Sequence, residues 1–225
     1  MKDCLVSFSS GDYYNNKLLS LLDSAKKHWR GDYLIYSLDH KMDNFNGIKI
    51  HKGLPKGCPS HQEIPYFFKF AIIEEAQSLG YERIVWLDTS MQLAKDITPL
   101  FGNKGIGVFH NLGHELFKYI SDDAMCILNI SDVSDIPQIW GGALFFDFTN
   151  KNTIILFNKI RDYAKMGAFN NGGSVRKGFV AHRHDQAIMS VILHNKCNLY
   201  PYGMIASKEH FRTKEYGDNV YIIYG

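Results

Sequence analysis

Apolar positions along this chain fall into two rhythms that alternate. Unbroken apolar runs bounded by polar or glycine-rich breaks read as buried strands: Cys4-Leu5-Val6-Ser7-Phe8, Tyr33-Leu34-Ile35-Tyr36-Ser37-Leu38 and Ile84-Val85-Trp86-Leu87. Gly47-Ile48-Lys49-Ile50 is a further short strand. Between them the apolar residues recur at helical spacing. Leu18, Leu19, Leu21, Leu22 and Ala25 lead up to Trp29, and Phe67, Phe70, Ala71 and Ile73 lie within Tyr66 to Leu79, closed by Gly80. Pro55, Gly57 and Pro59 mark an irregular connection. This βαβα order predicts an α/β fold with a mostly parallel central sheet and helices on both faces.

The second half is less regular. Gly105 to Phe109 and the glycine-opened run Trp140 to Phe148 read as strands, followed by a helix from Asn152 to Ala164. Gly167 to Gly178 is a polar, glycine-rich loop with the character of a mobile lid, whose Arg176 and Lys177 suit an anionic ligand. Asp185 to His194 predicts a helix, and Leu199-Tyr200-Pro201 and Tyr221-Ile222-Ile223 are short closing strands. With no repeat, low-complexity block or linker, residues 1–225 read as one domain.

Composition narrows the function classes. Apolar content of 45% and charged content of 21% are globular values, and a net charge of +2 lacks the basic excess of a nucleic-acid binder. No apolar run is long enough for a transmembrane segment, and the acid at Asp3 spoils a signal peptide. Cys4, Cys58, Cys126 and Cys197 are scattered without CxxC spacing, which points to reduced thiols and a cytoplasmic protein.

Three segments carry candidate chemistry. The strand Arg83 to Leu87 stops at Asp88, placing a carboxylate at the carboxyl edge of the sheet, where α/β folds bind ligands and where a hard cation finds oxygen. Asp88 equally suits a capping role. The loop Ser9-Ser10-Gly11-Asp12-Tyr13-Tyr14 lets backbone approach a ligand, with Asp12 to accept from a base or ribose and Tyr13 or Tyr14 to stack on a base. It is neither GxGxxG nor a P-loop. The third is His182-Arg183-His184-Asp185-Gln186 at a helix start, where free N–H groups favour anions. Its H-x-H spacing admits zinc, although no cysteine partner or HExxH accompanies it.

Taken in order, these segments resemble a nucleotide-sugar glycosyltransferase of the GT-A fold, near the glycogenin-like and lipopolysaccharide sugar transferases and related bacterial and viral proteins. The likeness rests on the strand running into Asp88, on Trp140-Gly141-Gly142-Ala143-Leu144, similar to the Asn-x-Gly strand beneath a donor sugar, and on Asp185-Gln186, similar to that group's Asp-Gln pair. It implies a Rossmann-like single domain that transfers a sugar from a nucleoside diphosphate sugar, a uridine one by preference, to a carbohydrate or other glycan hydroxyl. Asp185 and Gln186 would be catalytic. Ser9, Asp12, Tyr13, Lys69, Asp88, Gly141, Gly142 and Arg183 would bind the donor, and Asp88 with Ser90 a Mn2+ or Mg2+ ion.

The resemblance also has a gap. The second acid of Asp-x-Asp is Ser90 here, and His194, Gly203 and Lys208 do not form that group's late His-x-x-Gly-x-x-Lys-Pro segment. The metal would lose one carboxylate, and Lys69, Arg176, Lys177 and Arg183 would share the task of neutralising the diphosphate. Two other classes stay open: a metal-dependent phosphohydrolase or nucleotidyl transferase, and a non-catalytic carbohydrate- or nucleotide-binding module.

Overall fold

A computed structural model of the protein describes residues 1–38, 43–209 and 219–225. The apolar runs become strands and the spaced ones helices, in the order β1 (Asp3–Ser9), α1 (Asp12–His28), β2 (Asp32–Ser37), β3 (Asn44–Phe45), β4 (Ile48–Lys52), α2 (Phe68–Ser78), β5 (Arg83–Leu87) and β6 (Met91–Leu93). There follow β7 (Ile106–Glu115), α3 (Asp122–Leu128), β8 (Pro137–Asp147), α4 (Lys151–Tyr163), α5 (His184–Leu193), β9 (Asn198–Tyr200), β10 (Ile205–Ser207) and β11 (Ile222–Tyr224).

The main sheet runs β3-β4-β2-β1-β5-β8-β7-β9. Strands β4, β2, β1 and β5 are parallel, as are β7 and β9, whereas β8 enters antiparallel between β5 and β7. Because both faces are covered, the central strands are apolar throughout, and successive residues feed opposite cores. Ile84 and Trp86 of β5 pack with Phe70, Phe146, Phe157 and Ile188 beneath α2, α4 and α5. Val85 and Leu87 pack with Leu18, Leu21, Leu22 and Phe145 against α1. The sheet and its two helical layers make the GT-A-like, Rossmann-like α/β architecture that the alternation predicts.

The differences from the expectation are local. Helix α1 opens at Asp12, immediately after Gly11, whose φ of 79° makes the turn out of β1. The loop there is therefore only Ser10-Gly11, and Asp12, Tyr13 and Tyr14 belong to the first helical turn. Helix α3 escapes the periodicity because it is short; Ser121 caps it by accepting from the Ala124 N–H at 3.2 Å.

A second, three-stranded sheet, β10-β11-β6, sits beside the turn that leaves β5. That turn is held three times. The Asp88 N–H donates to Gly142 O at 2.8 Å, the Met91 N–H to Asp88 O at 3.0 Å, and the Gly225 N–H to Ser90 O at 3.2 Å. No helix among the described residues is long and apolar enough to cross a membrane.

Candidate active site

The carboxyl ends of the parallel strands open into a cavity of about 920 Å³. Phe8, Ser10 and Tyr14 contribute to one wall, Leu54 to Phe68 of the irregular connection to a second, and Arg183 to Gln186 to a third. Lys69, Trp86 and Asp88 are also among its lining residues. This is the edge at which open α/β sheets bind ligands.

Lys69 organises its charge. Helix α2 drives this side chain inward, where its Nζ lies 3.0 Å from Asp185 Oδ2 and 3.5 Å from Asp88 Oδ1 and donates to Gly141 O at 2.9 Å. Burial alone would depress the ammonium's pKa, but the carboxylates of Asp185 and Asp88 together outweigh it and hold the group charged, above its ordinary range. Burial pushes the Asp185 carboxyl upward while Lys69 opposes it. Asp88 is less enclosed, and its Oδ1 accepts from the Trp86 indole N–H at 2.7 Å.

The two glycines of β8 have separate physical tasks. A Cβ on Gly141 would stand 2.8 Å from Gln186 Cγ and 3.3 Å from Asp185 Oδ2, so glycine lets the start of α5 close onto the sheet. A Cβ on Gly142 would meet Met91 Cε at 2.8 Å, and its carbonyl takes the Asp88 N–H. With the strand that close, Gln186 Oε1 is buried without a hydrogen-bond partner among the described residues.

Three histidines line the cavity, and their partners place the proton on Nε2 in two of them and on Nδ1 in the third. His182 Nδ1 accepts from the Ser121 N–H at 3.2 Å and its Nε2 donates to Ala168 O at 2.9 Å, so it is neutral and spent on structure. Burial pushes its pKa down to about 4. His61 Nδ1 accepts from the Tyr66 N–H at 3.2 Å, which leaves its proton on Nε2. His184 Nδ1 donates to Phe169 O at 2.7 Å, which leaves its Nε2 lone pair open. Backbone φ is 61° at Tyr66 and 35° at His184, and the two rings touch at a centroid distance of 5.2 Å.

Of the residues singled out from sequence, Lys69, Asp88, Ser90, Arg183, Asp185 and Gln186 converge on this cavity, with Gly141 and Gly142 directly behind. Arg183 also lies over the Tyr119 ring at 4.6 Å. Ser9 does not reach it. Its hydroxyl is buried and donates to Asn15 Oδ1 at 2.7 Å. Asp12 and Tyr13 also fall outside the lining, because the early start of α1 turns them away; Tyr14 faces the cavity instead. Tyr13 borders a smaller hollow of about 240 Å³, shared with Lys17, Thr89 and Ser90.

Arg176, expected to close over an anion, is turned inward. Its Nε donates to Asp122 Oδ1 at 2.9 Å, its Nη1 to Phe117 O at 3.2 Å, and its Nη2 to Ile120 O. Asp122 also accepts from the Ser174 hydroxyl and the Val175 N–H, and these hydrogen bonds, Ser174's foremost, hold its carboxyl below the usual range. The residues that sequence reasoning passed over are His61, Tyr66 and Trp86 as cavity groups. The Pro- and Gly-marked connection was the signal for the first two, since such segments carry ligand contacts when they overhang a sheet edge.

A divalent cation fits this site only in part. Asp88 Oδ2, free of any protein partner among the described residues, and the Ser90 hydroxyl are two oxygens on one turn. The described residues hold no group of three His, Cys, Asp or Glu side chains arranged for a metal. Phosphate and water oxygens would have to complete the shell.

No family model matches the sequence, and no curated protein matches it either. Among solved structures, the apo structure of WbbM, a bifunctional glycosyltransferase, superposes with a TM-score of 0.61 at 14% identity. The match covers 99% of this chain and 45% of that one, so the chain spans less than half the length of WbbM. At that identity the likeness establishes a shared glycosyltransferase-like fold.

Proposed function

We propose that this protein transfers a sugar from a nucleoside diphosphate sugar, of the uridine type, to a hydroxyl of a carbohydrate acceptor. The observation that carries the reading is the buried ammonium of Lys69 set between Asp88 and Asp185 at the floor of a cavity large enough for a nucleotide sugar. Fixed carboxylates accept from sugar hydroxyls, and a charge that needs no reorganisation stabilises a departing diphosphate. In this reading the base lies toward Tyr14, Ser10 and Leu38, the diphosphate near Asp88 and Arg183, and the donor sugar over Asp185 and Gln186. The unpartnered Gln186 Oε1 accepts from a sugar hydroxyl or faces the reacting carbon.

Mn2+ or Mg2+ would be held by Asp88 and Ser90 together with donor phosphate oxygens. It would neutralise charge on the diphosphate as the sugar leaves. Thermal shift against a panel of nucleotides and nucleotide sugars, with and without manganese, tests the reading first. A donor-specific rise is expected, while a response to free sugars alone points to a binding module. Asp88→Asn then tests the site: turnover of the donor should fall by at least about 10²-fold with the melting temperature retained. Undiminished turnover would reduce Asp88 to a cap on the turn after β5.

A further inference from the structure

We propose that His184 is the catalytic base of this site, taking the proton from the attacking hydroxyl through Nε2. The inference rests on the sugar-transfer reading and goes beyond it by naming the group that accepts the proton.

Among the cavity-lining side chains, the candidates for that task eliminate one another. Asp185 is 2% exposed and committed to Lys69, and Asp88 holds the same ammonium through Oδ1 while its open Oδ2 is the oxygen assigned above to the cation and diphosphate. His182 has both ring nitrogens engaged, and His61 presents a proton where a base must present a lone pair. His184 is different. Its Nδ1–H is fixed on Phe169 O, so the imidazole is oriented and its Nε2 acceptor has no protein partner among the described residues. A carbonyl on the far nitrogen also favours the imidazolium that forms during transfer, as an orienting acceptor does in other histidine bases.

The backbone supplies an independent observation. Neither Tyr66 nor His184 is glycine, yet both adopt positive φ, and their rings meet. Such conformations are strained for a residue with a side chain and persist where the surroundings impose them, typically at working sites. Tyr66 also faces Lys69, whose Nζ is 5.4 Å from its ring centroid, so this ring joins the histidine to the charged floor. Tyr66 and His182 stand in ring contact with the imidazole and His61 interacts with it electrostatically, while Arg183, Asp185 and Lys69 line the same cavity.

The step balances as a single displacement. The acceptor oxygen forms the bond to the anomeric carbon as its proton passes to His184 Nε2. The bond from that carbon to the diphosphate oxygen breaks, with the electron pair leaving on the diphosphate. The imidazolium then returns its proton to solvent, and the anomeric configuration is inverted.

Donor hydrolysis, with water as the attacking hydroxyl, tests this without knowledge of the natural acceptor; the probes are UDP-glucose, UDP-galactose and UDP-N-acetylglucosamine with manganese. His184→Asn, which tolerates the left-handed backbone, should lower kcat at least 10²-fold, leave donor Kd by calorimetry within about twofold, and abolish the acid limb of the kcat profile. His61→Gln should keep that limb. His184→Gly removes the backbone strain as well, and added imidazole should restore its turnover in proportion to the free base. Retained turnover in His184→Asn, or no imidazole rescue, overturns the assignment while leaving sugar transfer in place. A wild type that turns over none of the donors overturns both.

Discussion

Lys69 Nζ stands 3.0 Å from Asp185 Oδ2 where neither side chain is more than 4% exposed. A buried pair of this kind is costly to halve, because removing one partner leaves an uncompensated charge. Lys69→Met should therefore lose about 3–5 kcal/mol in urea unfolding. Lys69→Met with Asp185→Asn should recover a large part of that stability while turnover stays low. An unchanged midpoint in the single variant would mean that water already solvates Asp185.

Tyr14 and Tyr13 are neighbours with different surroundings, since only Tyr14 lines the main cavity. Stacking of an aromatic ring on a base is worth about 1–3 kcal/mol. Tyr14→Ala should weaken UDP binding by roughly tenfold or more by titration calorimetry. Tyr13→Ala should leave it within about a factor of two. The reverse ranking would move the nucleotide into the smaller hollow beside Lys17.

The segment after Gly167 is tethered through Asp122 to Ser174, Val175 and Arg176. Asp122→Ala removes those acceptors at one stroke. Amide exchange across residues 172–178 should then rise by about tenfold or more, with little loss of global stability. If the segment exchanges as fast in the wild type, the Asp122 contacts do not restrain it.

His182 gives stability a pH dependence of known sign. Its pKa falls from 6.5 to about 4 on folding, so between those values the unfolded chain binds more protons. Its contribution is complete above pH 6.5 and is lost as pH falls toward 4, a difference of about 3 kcal/mol. His182→Gln should flatten that stretch of the unfolding free energy against pH. Equal slopes in variant and wild type would assign the acid sensitivity to other groups.

How far the site was legible in the sequence follows from the range of each signal. Asp88 was legible because a strand and the acid ending it are contiguous, and Asp185 because its polar cluster abuts an apolar helix. Tyr14 rather than Tyr13 was not, since the choice turns on whether α1 starts at Asp12, and a shift of one residue rotates a helical side chain by about 100°. Arg176 looked like a free cation because nothing near it in sequence announces Asp122, which α3 delivers from far upstream. The antiparallel insertion of β8 was equally hidden, since an apolar run carries no direction. Partner-dependent properties, such as the opposite proton placement on His61 and His184, exist only once the chain has folded.

The triple hold on the turn after β5 has a consequence for how this site responds to change. Asp88 and Ser90 are anchored from one side by Gly142 and from the other by Gly225, a residue far along the chain that lies outside the cavity lining. The turn is therefore set before any ligand arrives, and the entropy of ordering it belongs to folding rather than to binding. The small sheet acts as a lever on the large one. Weakening β11 would register as looser ligand binding at the cavity, with every cavity-lining side chain intact.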